Sequence, residues 1–150
     1  MNNRMSFPKA YPDGYKALSQ LEKFIVSSGL TEKHQELIKL RASQINGCVF
    51  CLDLHLKDAR KLGFTDQQLM TLSAWFESPF FDDDDKVILA LTDAVTLIAD
   101  EGVPQEVYDD ALDLLGEEGL AKVLMAICMI NTWNRLMVTT EAQPGSHTPK

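Results

Sequence analysis

The long apolar-periodic segments of this chain end at glycines and restart at capping residues, and that punctuation leaves room for little but helices. Tyr15 to Val26 carries apolar residues at helical spacing and stops before Gly29. Thr31 is placed as the N-cap of a second helix that ends near Gly47. Cys48 to Leu62 forms a third, closed by Gly63 in the position a helix terminator takes. Thr65 opens a fourth, with Gln68 three residues later completing a capping-box pattern, and this helix is expected to run to Pro79. The acidic string Asp82 to Asp85 starts a fifth, which ends by Gly102; negative charge at a helix N-terminus complements the macrodipole. Pro104 begins a sixth over "VPQEVYDDALDLLG". Leu120 to Val138 is apolar nearly all round, so the seventh belongs in a core or an oligomer interface. No segment reads as a strand. The expectation is an all-α, compact bundle of about seven helices with short connections between antiparallel neighbours.

At 150 residues the chain fits a single domain over 1–150. The tail "EAQPGSHTPK" is expected to be disordered or strapped to a partner. The formal net charge of −8 argues against nucleic acid, which needs clustered basic groups. No apolar run approaches the roughly 20 residues that span a bilayer, and the stretch "MNNRMSFPKAYPDG" has no apolar signal region. A cytoplasmic protein that binds no membrane is therefore expected.

The chemistry concentrates in "INGCVFCLDLH", Ile45 to His55. On a helix, Cys48 and Cys51 are one turn apart and His55 lies one turn beyond Cys51, so all three share a face. Gly47 precedes them, which puts both thiols at the helix start, where the thiolate is favoured. A neighbouring imidazole can accept a thiol proton, and the second thiol can convert a sulfenic acid to a disulfide. Three readings are open on these residues: packed core cysteines with a surface histidine, part of a metal site, and a dithiol redox centre. A closed structural zinc site wants four ligands, and no second pair stands at ligand spacing, since His34 and His147 are isolated and Cys128 sits in an apolar helix. The dithiol centre needs only the residues present. The three cysteines, an odd number, do not suggest a secreted disulfide framework.

The string "ELIKLRASQINGCVFCLDLHLKDARKLG" resembles the core of the alkylhydroperoxidase D-like proteins of the carboxymuconolactone decarboxylase superfamily. Those proteins carry a glutamate, a Cys-x-x-Cys pair a dozen positions on, and a histidine four residues after the second cysteine. Glu36, Cys48, Cys51 and His55 stand in those places, "INTWNRL", Ile130 to Leu136, is similar to the family's closing helix, and the similarity covers a core of about 16–145. The resemblance implies an all-helical fold that assembles into trimers or hexamers. It implies thiol-dependent reduction of a hydroperoxide, with an unidentified dithiol reductant reopening the disulfide and no metal, flavin or haem as cofactor. It implies that Cys51 attacks the peroxide, that Cys48 resolves it, and that Glu36 and His55 form a proton relay. One position departs from the family: Phe50 stands where the characterised peroxidase has a second histidine, so a relay must run directly from Glu36 to His55 or through water. The alternative function is a non-enzymatic redox sensor or assembly protein switched by the same disulfide.

Outside this stretch, Cys128 is expected to be a buried core thiol and His34 to lie on a solvated face. Trp133, Asn134 and Arg135 are expected to serve packing and assembly or to line the site. Trp75, Phe76, Phe80 and Phe81 form an aromatic cluster expected in the core or at an oligomer contact.

Overall fold

A computed structural model describes residues 4–149; the first three residues of the N-terminal stretch and the last of the tail lie outside it. Among the described residues there are eight α-helices and no strand. They are α1 (Phe7–Ala10), α2 (Pro12–Val26), α3 (Glu32–Asn46), α4 (Val49–Lys61), α5 (Asp66–Thr71), α6 (Asp83–Thr96), α7 (Ile98–Glu101) and α8 (Gln105–Thr140). Two of them, α1 and α7, are single turns that apolar periodicity cannot reveal.

The caps read from the sequence are present. The Thr31 side chain accepts from His34 N–H, and capping boxes close at Thr65–Gln68 and at Asp82–Asp85. α5 is shorter than expected. It tightens into a 3₁₀ turn at Leu72–Ala74, far short of Pro79, which lets Leu72 bury and Trp75 Nε1 reach Asp93 Oδ2 at 3.0 Å. The sixth and seventh expected helices run together as α8, broken at Gly116, whose φ of 66° and ψ of 173° are not helical.

The helix α3 is the axis of the molecule, packed by α4, α6 and α8. One of its faces sends Ile38 and Ala42 into a core with Ile88, Leu91, Val123, Ile127 and Ile130. Another sends Leu37 and Leu40 against Leu72, Phe81 and Leu89. Burial on two faces is worth about 1.5–3 kcal/mol per large apolar side chain, but it also encloses the polar residues of α3, and each of these has a partner, as buried polar groups require. Gln35 donates to the carbonyls of Val26 and Leu30, and Arg41 forms a bidentate pair with Asp93 at 2.6 and 2.9 Å.

Three expectations are corrected, and α8 supplies the first: it sends Val123, Ile127 and Ile130 into the core while Met125 and Cys128 face out. Cys128 is thus an exposed thiol, because an apolar helix at the edge of a bundle still has an outer face. His34 is no solvated histidine; the packing of α3 on α6 sets its Nε2 3.5 Å from Asp85 Oδ1, with Lys33 Nζ 2.7 Å from Asp85 Oδ2. The tail is strapped, but to its own chain: Gly145 N–H donates to Asp53, Lys57 donates to the His147 carbonyl, and His147 Nε2 lies 2.7 Å from Asp58. Of the aromatic four, Trp75 and Phe81 pack in the second core cluster while Phe76 and Phe80 are exposed.

Candidate active site

Gly47 ends α3 in the left-handed conformation, at φ 66° and ψ 33°, and turns the chain so that α4 begins two residues later. Cys48 is the N-cap of α4, and its Sγ accepts the Cys51 N–H at 3.3 Å. The two cysteines are joined as a disulfide and both are buried. They do not share an outlook. Cys51 lines a cleft of about 1030 Å³ together with Phe50, Leu54, His55 and Trp133, whereas Cys48 lines a smaller hollow beside Gly47, Val49 and Met137.

His55 lies on the Cys51 side of α4. Its Nδ1 is 3.0 Å from Glu36 Oε2, and both side chains are nearly enclosed. Helical spacing placed Cys48, Cys51 and His55 on one face; the packing of α4 on α3 adds Glu36 to them. With Nδ1 engaged by the carboxylate, Nε2 is the nitrogen left for chemistry. This set can take a thiol proton and hold the resulting imidazolium.

Beyond Glu36 the polar chain continues. Lys39 Nζ is 3.9 Å from Glu36 Oε1 and 3.0 Å from Glu22 Oε1, and Trp133 Nε1 donates to Glu22 Oε2. The spacing of Glu36 and Lys39 could have suggested their shared face; Glu22 and Trp133 join only through the fold. Asn134 is fully buried, donating to Ser43 and accepting from Asn46, so it pins α8 to α3 and does not line the cleft. Arg135 is exposed and folds back onto Asn131.

Asp58, one turn past His55, also lines the cleft. Glu36, His55 and Asp58 offer ligand-type atoms within 4.8 Å of one another. Lys39 and His55 already face Glu36, and His147 already faces Asp58. A dication there would have to displace a lysine and a tail histidine, so the trio fits an ion-pair cluster better than a metal centre. Beside it, Asp53 is held below the usual carboxylate range, first by the hydrogen bond from Lys57 and then by the Gly145 N–H.

Comparisons with known proteins agree with this fold. The model of the carboxymuconolactone decarboxylase family matches residues 12–94. The uncharacterized protein YdfG of Bacillus subtilis (strain 168) is 38% identical over 138 residues, which span 92% of this chain and 94% of that one. A crystal structure of ATU0492 from Agrobacterium tumefaciens, a protein of unknown function and candidate antioxidant defence protein AhpD, superposes with a TM-score of 0.92. It is 40% identical and covers 96% of this chain and 99% of its own. The debrominase Bmp8 shares the fold alone, with a TM-score of 0.81 at 19% identity over 92% of this chain and 74% of its own.

Proposed function

This chain belongs to the carboxymuconolactone decarboxylase family and is AhpD-like within it, and from that premise we propose that it is a thiol-dependent peroxidase acting on organic hydroperoxides. The observation that carries the reading is the Glu36–His55 pair, 3.0 Å apart, on the wall of the cleft that Cys51 lines. His55 takes the Cys51 proton, and the thiolate attacks the distal peroxide oxygen. The O–O bond breaks, an alcohol leaves, and Cys51 is left as a sulfenic acid. The Cys48 thiol then displaces water and closes the disulfide. A dithiol reductant, whose identity is open, returns both cysteines to thiols.

The assignment of Cys51 as the attacking residue is supported by its place in the wide cleft beside His55. Cys48 suits the resolving role, since the Cys51 N–H directed at its sulfur favours the anion that departs on reduction. The apolar lining from Phe50, Leu54 and Trp133 suits a carbon-bearing peroxide better than hydrogen peroxide. No metal, flavin or haem is needed for these steps. The whole chain acts as one domain, in a reducing compartment such as the cytoplasm. It assembles as a homo-oligomer, a trimer or hexamer, and the outward Met125 and Val138 of α8 give that assembly an apolar surface.

The test is a free-thiol titration of reduced protein before and after one equivalent of cumene hydroperoxide, followed by turnover with excess dithiothreitol. Rapid loss of two thiols, cycling with the reductant and abolished in Cys51→Ser, is expected. Slow oxidation without turnover, accompanied by a change in oligomer size, would instead mark a redox sensor.

A further inference from the structure

Lys39 is placed by α3 one turn from Glu36, on the wall of the cleft that Cys51 and His55 also line. Its side chain is only 10% exposed. A lysine is seldom enclosed unless it is paired, and here the ammonium sits between Glu22 at 3.0 Å and Glu36 at 3.9 Å. The other cations of the cleft differ: Lys23 is exposed, and Arg4 is exposed and engaged by Glu141. An ion pair joining α2 to α3 could stand anywhere along those helices. This one shares Glu36 with His55, the base of the proposed reaction.

We propose that Lys39 is the catalytic acid that protonates the departing oxygen of the peroxide. The inference rests on the peroxidase reading above and deepens it. Cys51 gives its proton to His55, and the sulfur–oxygen bond forms as the O–O bond breaks. The distal oxygen, with its hydrogen, stays on Cys51 as the sulfenic acid. The proximal oxygen leaves with the bonding electron pair and takes a proton from Lys39 Nζ. The His55 imidazolium then restores the Lys39 proton through the Glu36 carboxylate, which faces both groups. The sum is thiol plus hydroperoxide giving sulfenic acid plus alcohol, with no proton gained or lost. The step is downhill because an alkylammonium is a far stronger acid than water or a simple alcohol. Base and acid are thereby ends of one hydrogen-bonded and ion-paired chain.

The experiment compares two oxidants of different leaving group on reduced wild type, Lys39→Met and Lys39→Arg, following Cys51 oxidation by stopped-flow fluorescence. Ethyl hydroperoxide expels an alkoxide that needs a proton; peracetic acid expels acetate, which does not. Loss of a general acid removes about a hundredfold or more in rate. Both variants should therefore lose about a hundredfold with ethyl hydroperoxide and less than about threefold with peracetic acid. Lys39→Arg keeps the charge between Glu22 and Glu36 but holds its proton too firmly to donate it, so it separates acid catalysis from pairing. Equal losses with both oxidants, or full ethyl hydroperoxide activity in Lys39→Arg, would overturn the role of Lys39 while leaving the peroxidase intact. Wild type inert to both oxidants would overturn the peroxidase reading itself.

Discussion

Asp82 shows how much a single side chain does at a helix start. Its Oδ1 accepts the Asp85 N–H at 2.8 Å, and Asp85 returns the bond to the Asp82 N–H. The Asp85 backbone N–H is the largest cause of an Asp82 carboxyl held below its usual range, with partial burial opposing it and Lys33 reinforcing it. Folding lowers this pKa, so the stabilisation is complete above about pH 4, where an unfolded aspartate is ionised. It is lost as pH falls through the lower folded value. Asp82→Ala should cost about 1 kcal/mol at pH 7, narrowing below about pH 4, as read from urea unfolding at a series of pH values. Caps of this kind were legible in the sequence because the bond that makes them spans three residues. The contact of His55 with Glu36 was not legible from spacing, since nineteen positions separate them and only the packing of α4 on α3 closes the gap. It was the family resemblance that named Glu36. His34 and His147 looked isolated for the same reason; each meets its carboxylate across the fold, at Asp85 and Asp58.

Among the elements, α8 divides between two expectations. A helix apolar on most positions was expected in a core or an oligomer interface; Val123, Ile127 and Ile130 lie in the core, while Met125 and Cys128 lie outward. Composition reports how much apolar surface an element has, not how many neighbours arrive to cover it. The break at Gly116 was legible, since the sixth expected helix stops at that glycine; the backbone angles add that Gly119, three residues on, stays helical. The Gly116 φ of 66° and ψ of 173° lie in a region essentially closed to other residues. A Cβ there would meet no atom within 4 Å, so the penalty of Gly116→Ala is conformational and not steric crowding. The substitution should lower stability by about 1–3 kcal/mol, measured by denaturant unfolding. Gly119→Ala is the contrasting variant: its Cβ would press on the Leu115 side chain at 3.0 Å, but its backbone is already helical.

For the molecule as a whole, the tail beyond Ala142, which packs against the cysteine cluster, is a surface attachment. Gly145 N–H on Asp53 and His147 on Asp58 tie it to α4, and the groups involved remain partly open to solvent. Exposed pairs of this kind contribute little to global stability. Asp53→Ala should therefore leave the melting temperature within about 2 °C while amide exchange at Gly145 accelerates at least about tenfold. The all-helical class was open to inspection in the chain's punctuation, whereas the tail's course depended on acids of α4 that no periodicity marks. The unequal outlook of the two bridged cysteines carries a last consequence. Only Cys51 lines the wide cleft; Cys48 lines a smaller hollow. In the proposed cycle one doorway then serves both halves, and oxidant and reductant take turns at it, so each visitor at high concentration delays the other.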